Sequence, residues 1–199
     1  IRLATASPAS SLSTARRIWS TLLSHSEHFS QRFLEGVAAG NDTTRYAIAA
    51  GIQALARQDG LLEELQAGEV WGTAADEIVR WASPATYFRR TAMKDVEVHG
   101  QQIKAGDKVL YWFISANRDE TMFEDPYRLT LSRKPNGQLG WGQGGPHVCL
   151  GMHLARLEVR VLFQELVKRI NTIGPDGPEA FVRSNFVNGI KRMPVRVTL

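Results

Sequence analysis

The stretch that most constrains this chain is Trp141-Gly-Gln-Gly-Gly-Pro-His-Val-Cys149-Leu-Gly151, which places four glycines, a proline and the only cysteine within eleven residues. Fixing glycine in one conformation is entropically costly, so no core position calls for such a run. A tight loop whose backbone must pass close to a flat or bulky group does. An amphipathic helix is expected directly afterwards over 154–170. Ala155, Val159, Leu162, Phe163, Leu166 and Ile170 recur at helical spacing, while Arg156, Arg160 and Lys168 share the opposite face. A cysteine just before a helix sits at the positive end of its dipole, which lowers the thiol pKa and favours the thiolate, the metal-binding form. Two other readings are open at this point. Cys149 could be an inert buried hydrophobe, or it could join His147 and His153 in a zinc site, for which no fourth ligand is obvious.

A single cysteine rules out an intramolecular disulfide and fits a reducing, cytoplasmic setting. With 24 Lys and Arg against 20 Asp and Glu, the net charge is +4, too small an excess to point to nucleic acid. No apolar run approaches the ~20 residues needed to cross a bilayer, and Ile1 to Leu12 lacks the pattern of a signal peptide, so neither a leader nor an integral membrane segment is expected.

Residues 1–36 read as a divergent N-terminal segment, polar and poorly packed, and residues 37–199 as the main unit. Small and apolar residues from Phe33 through Leu55 predict one buried helix, interrupted at Gly40-Asn41-Asp42. Shorter helices are expected over Leu61–Gln66 and Ala74–Trp81, the second stopped by Ser83-Pro84 because a residue preceding proline avoids helical dihedrals. Val96 to Tyr111 reads as a small β-meander with turns at His99-Gly100 and Lys104 to Asp107, and 117–138 as irregular. Asn188-Gly189 predicts a type I′ turn joining Arg183–Val187 to Ile190–Val197. The fold class is mainly α with small β-meanders, that is, α+β.

The cysteine loop resembles the heme-binding signature of the cytochrome P450 family, F-G-x-G-x-H-x-C-x-G. Trp141 stands where the family usually has Phe, and one extra residue gives a loop like that of bacterial P450s that hydroxylate terminal methyls of sterol side chains and branched lipids. The resemblance covers about Val37 to Leu199 and implies the C-terminal portion of that fold, truncated. It implies heme b (iron-protoporphyrin IX) with Cys149 as the iron ligand, and a thiolate in that place pushes electron density onto the iron and favours O–O cleavage. By the same resemblance Trp141 covers the sulfur, His147 and Arg89 bind heme propionates, and Gly142, Gly144 and Gly151 let the backbone lie close to the porphyrin.

Further motifs carry the likeness. Glu77-Ile-Val-Arg80 is an E-x-x-R pair at helical spacing, common as surface decoration when alone. Placed before the cysteine loop it resembles the family's helix motif, with Arg128 implied as third member of a buried structural network. Ala39-Gly40-Asn41-Asp42-Thr43-Thr44 resembles the family's oxygen-binding helix kink, which assigns Asp42 and Thr43 to proton delivery; on residue type alone an Asp-Thr pair is also an ordinary helix cap. Ala39, Pro84, Ala85, Thr86, Phe186 and Val187 match substrate-lining segments. The implied activity is a monooxygenase that inserts one oxygen of O₂ into a hydrophobic substrate, fed by a ferredoxin-type partner docking on the Arg156, Arg160 and Lys168 stripe. A truncated, non-catalytic remnant that binds heme weakly or not at all is the alternative.

Overall fold

The structure is a computed structural model that describes residues 36–199 except 38, 143 and 144. Most of the expected N-terminal segment, together with Gly144, therefore lies outside the described residues. The chain divides into two compact units, Ile1–Asn41 and Asp42–Leu199. In the first, residues 36–37 and 39–41 are helical and exposed. Gly40, Asn41 and Asp42 each hold helical conformation, so the expected interruption is not a break in local structure. One glycine costs a helix only about 1 kcal/mol relative to alanine, which neighbouring turns can absorb.

The second unit begins with α1 (42–57), followed by α2 (Leu61–Ala67), α3 (Ala74–Ala82), the short α4 (Phe113–Ala116) and α5 (Met152–Val167). α2 starts after Gly60 and stops at Gly68, both in the left-handed region, which glycine enters without a Cβ clash. α3 ends as the Ser83-Pro84 pair demands: Ser83 adopts φ 39° and ψ 60°, and its hydroxyl donates to the Arg80 carbonyl at 2.8 Å. The periodicity of α5 is realised by Val159, Phe163 and Val167, which are buried at four-residue intervals. With Ala54, Leu55, Leu65, Ile78, Leu129 and Leu131 they form the main core, built from α1, α2, α3, α5 and the loop before the cysteine segment.

Strand pairing departs from the expected meander. Tyr87–Thr91 (β1) pairs antiparallel with Lys108–Trp112 (β4), and Val96–Val98 (β2) pairs only with Gln101–Ile103 (β3). The turn at 104–107 therefore does not return the chain to β3. Gly106 donates to the Ala92 carbonyl and Ala92 to the Asp107 carbonyl, which closes the β1–β4 ladder instead. Aromatic contacts reinforce that register, with Tyr87 against Trp112 at 4.8 Å and Phe88 against Tyr111 at 6.4 Å between ring centroids.

The expected type I′ hairpin at Asn188-Gly189 is also corrected. Ala180–Phe181 (β6) pairs with Ile190–Arg192 (β7), and Thr172–Pro175 (β5) with Val195–Thr198 (β8), while neither Asn188 nor Gly189 has a positive φ. Gly189 is required for closeness rather than for turn geometry: a Cβ there would lie 2.5 Å from the Tyr46 ring on α1. Asn188 meanwhile donates from its backbone to Pro84 O and from its side chain to Ala82 O. Tertiary contacts thus take up the groups a local turn would have used.

Candidate functional site

Cys149 belongs to a second, smaller core. Ala47, Val79, Ala82 and Trp141 are its buried members, with Ala50, Cys149, Met152 and Ala155 packed against them. The loop is set by its backbone: Gly142 takes φ 70°, its N–H donates to Leu139 O at 2.8 Å, and the Cys149 N–H reaches back to Trp141 O at 2.8 Å. A side chain at Gly142 would be strained by that φ and would bring Cβ within 3.3 Å of the His147 carbonyl. Cys149 is half-buried, and its carbonyl accepts from Met152, the first residue of α5. The expected placement of the thiol at a helix start is therefore present.

Trp141 is 8% exposed, and its indole Nε1 donates to Asp76 Oδ1 on α3 at 2.6 Å. Arg156 of α5 donates to the same oxygen at 2.9 Å and stacks over the indole, 5.4 Å from the ring centroid. Asp76 and Trp141's tie to it were not foreseen from sequence. The available signal was the indole itself, since a buried Trp needs an acceptor that the family's usual Phe does not.

Beneath the loop, Glu77 and Arg80 are both 0% exposed and form a two-pronged pair at 2.8 Å per contact. The remaining Arg80 hydrogens go to the carbonyls of Asn117, Pro126 and Arg128. The third side chain in this network is not Arg128. Arg128 is exposed and contributes only its carbonyl, whereas Arg133 donates from Nε to both Glu77 oxygens at 3.1 and 3.2 Å. Thr130 N and Asn136 Nδ2 also donate to Glu77 and complete the set of donors around its carboxylate. The reason is the turn that closes from Arg133 N to Thr130 O, which swings the later guanidinium under Glu77. Nearby, burial and then the charge of Arg80 pull the pKa of Arg118 below the usual guanidinium value.

On α1, Thr43 lies one turn before Ala47 and hence on the stripe that meets the Cys149 core. Asp42 and Thr43 are half-buried, and Asp42 accepts from Arg45 at 2.8 Å. Pro84, Ala85 and Thr86 are brought against Phe186 and Val187 by an Ala85–Val187 bridge and the Thr86 N to Phe186 O bond at 2.9 Å. Two candidate substrate-lining segments a hundred residues apart in sequence thus become neighbours. Tyr87 packs edge-on against Phe186, 5.8 Å between centroids, and joins that wall. Ala39 lies in the first unit. Arg89 and His147 are exposed, with no side-chain partner among the described residues.

The supposed basic stripe on α5 is partly neutralised: Arg156 pairs with Asp76 and Lys168 with Glu165, leaving Arg160 as the member without a carboxylate partner among the described residues. Among those residues no three His, Cys, Asp or Glu side chains cluster. A lone soft sulfur on a glycine-bounded loop, walled by alanines, would suit an iron whose remaining ligands come from a macrocycle.

The sequence profile of the cytochrome P450 family matches residues 73–192. The chain belongs to that family. It is 46% identical over 170 residues to a methyl-branched lipid omega-hydroxylase of Mycobacterium tuberculosis, covering 82% of this chain and 39% of that protein. It is 42% identical over 160 residues to a steroid C26-monooxygenase of Mycolicibacterium smegmatis, covering 80% of this chain and 37% of the relative. A cytochrome P450 of Mycobacterium marinum solved with pseudoionone superposes with a TM-score of 0.75 at 46% identity, over 79% of this chain and 38% of that one. The chain thus spans less than half the length of the P450s it matches and carries a partial P450 fold of helices with small antiparallel sheets. The family normally binds heme and its members typically work with redox partners. No described helix is long and apolar enough to cross a membrane.

Proposed function

We propose that this chain forms the heme-thiolate half of a monooxygenase that hydroxylates a hydrophobic substrate, a sterol side chain or a methyl-branched lipid. The observation that carries the reading is the Cys149 loop, with its thiol half-buried at the start of α5 inside the P450-matched segment. Heme bound there supplies the redox centre at which O₂ is reduced and one oxygen is transferred. Cys149 would supply a thiolate ligand to its iron. The Trp141 ring would shield the sulfur from water, Gly142, Gly144 and Gly151 would permit close approach of the porphyrin, and Arg89 and His147 would bind its propionates.

Asp42 and Thr43 would hold and pass protons from solvent. Asp42 begins that path at half-exposure, and Thr43 ends it on the stripe above Cys149. The wall formed by Pro84, Ala85, Thr86, Phe186 and Val187 is apolar enough to bind a hydrocarbon chain and exclude water from it. Electrons come from a ferredoxin-type protein. The names of two relatives, an omega-hydroxylase of branched lipids and a C26-monooxygenase of steroids, support oxidation at a terminal methyl.

A second reading is a chain that binds heme without turning over. Turnover separates the two. The heme-loaded chain, given a ferredoxin, its reductase and a methyl-branched fatty acid or sterol, should yield a product carrying one oxygen from labelled O₂. It should lose that product in Thr43→Ala more than it loses heme. Heme uptake with no labelled product would instead support the non-catalytic reading.

A further inference from the structure

Trp141 differs from a phenylalanine in one respect that matters beside a thiolate: it carries a hydrogen-bond donor. An indole has a single N–H, and when buried it must find an acceptor. α3 and the cysteine loop offer two candidate acceptors. One is Asp76 Oδ1, 2.6 Å from Nε1; the other is the sulfur of Cys149, which packs in the same cluster and whose backbone N–H is bonded to the Trp141 carbonyl. A hydrogen bond to an iron-bound thiolate withdraws electron density from the metal and raises its reduction potential. Where the indole proton goes therefore changes what the cysteine does.

We infer that Asp76 is a positioning residue that commits the Trp141 N–H to α3, so that the indole covers Cys149 with carbon and donates nothing to its sulfur. Three observations carry this. The Asp76 contact has the short distance of a charge-assisted bond, and it uses the only donor the ring has. Arg156 donates to the same carboxylate oxygen at 2.9 Å and stacks on the indole face, so rotating the ring would break that stacking as well as the Asp76 bond. Asp76 also neighbours Glu77 on α3, and Glu77 is held by the fully buried network. The carboxylate that meets the loop thus stands on a helix anchored by buried hydrogen bonds. Asp76 and Arg156 together clamp the first residue of the loop to the second turn of the helix that follows it. This inference rests on the heme-thiolate reading for its functional consequence, though not for the bond itself.

The test uses the full chain in two measurements. With indole nitrogens labelled, the five tryptophan N–H resonances are recorded and Trp141 is assigned by its loss in Trp141→Phe. The Trp141 proton should be protected from exchange in the wild type and in Asp76→Asn, whose amide oxygen can still accept. It should shift and lose protection in Asp76→Ala. In the heme-loaded protein, Asp76→Ala should raise the iron midpoint potential. The same substitution in a Trp141→Phe background should leave the potential where Trp141→Phe alone puts it, because no indole proton remains to move. A merely structural role for Asp76 predicts equal shifts in both backgrounds, and that result, or an unchanged Trp141 resonance in Asp76→Ala, would overturn the inference. If Asp76→Ala does not fold, Trp141→Phe alone decides: a marked fall in potential would mean the wild-type indole already donates to sulfur. A wild-type chain without a thiolate-type heme spectrum counts against Cys149 ligation, and the indole resonance still decides the Asp76 bond.

Discussion

Around Glu77 every hydrogen-bonding position is filled by the protein itself, with Arg80, Arg133, Thr130 and Asn136 all donating to one carboxylate that is wholly buried. Around Cys149 the loop is held chiefly through its backbone and through one clamped indole, while His147 and Arg89 present their side chains at the surface. Leu150, beside the cysteine, is 99% exposed. One region is closed and the other open. A saturated network makes a foundation, because a buried charge is tolerated only when fully paired. A loop with uncommitted side chains is what a ligand-binding face requires.

The largest effect should come from breaking the closed region. Glu77→Ala leaves Arg80 buried and uncompensated, and it should cost about 3–5 kcal/mol. Urea denaturation should then show most of the unit's cooperative unfolding lost. Next, Arg133→Ala removes a charge-assisted bond from a nearly buried side chain and should cost about 1.5–3 kcal/mol. Arg128→Ala should stay within about 0.5 kcal/mol of the wild type. Equal losses in the two variants would reverse the assignment of the third side chain. Gly189→Ala forces a methyl against Tyr46 and should destabilise by about 1–3 kcal/mol, measured by thermal melting. Smallest in stability is Asp42→Asn. Its pair with Arg45 is exposed on both sides, so unfolding should shift by less than about 0.5 kcal/mol while turnover of the heme-loaded protein falls.

Much of this was readable beforehand where a residue's role is local. The spacing of Val159, Phe163 and Val167 gives α5, Ser83-Pro84 stops α3, and the glycines around Cys149 require a loop. What eluded the sequence depends on which of two similar groups a distant turn delivers. Arg128 and Arg133 are five residues apart and chemically identical, and only the turn closing onto Thr130 chooses between them. Asn188-Gly189 carries hairpin chemistry, but Tyr46, Ala82 and Pro84 claim its groups from elsewhere in the chain. Lys104 to Asp107 likewise turns the chain as expected, yet the strand that follows finds the aromatic face of Tyr87 and Phe88 rather than its sequence neighbour. The clamp of Asp76 on Trp141 was hidden because a carboxylate beside the motif glutamate looks like ordinary helix N-terminal acid.

The central claim is that the open region presents Cys149 as an iron-binding thiolate. The most direct measurement is the absorption spectrum of the heme-reconstituted chain after reduction and addition of carbon monoxide. The account predicts a red-shifted, thiolate-type Soret band in the wild type that disappears in a folded Cys149→Ser variant. An imidazole-like band, failure of the folded chain to take up heme, or a thiolate-type band that survives in Cys149→Ser would contradict it.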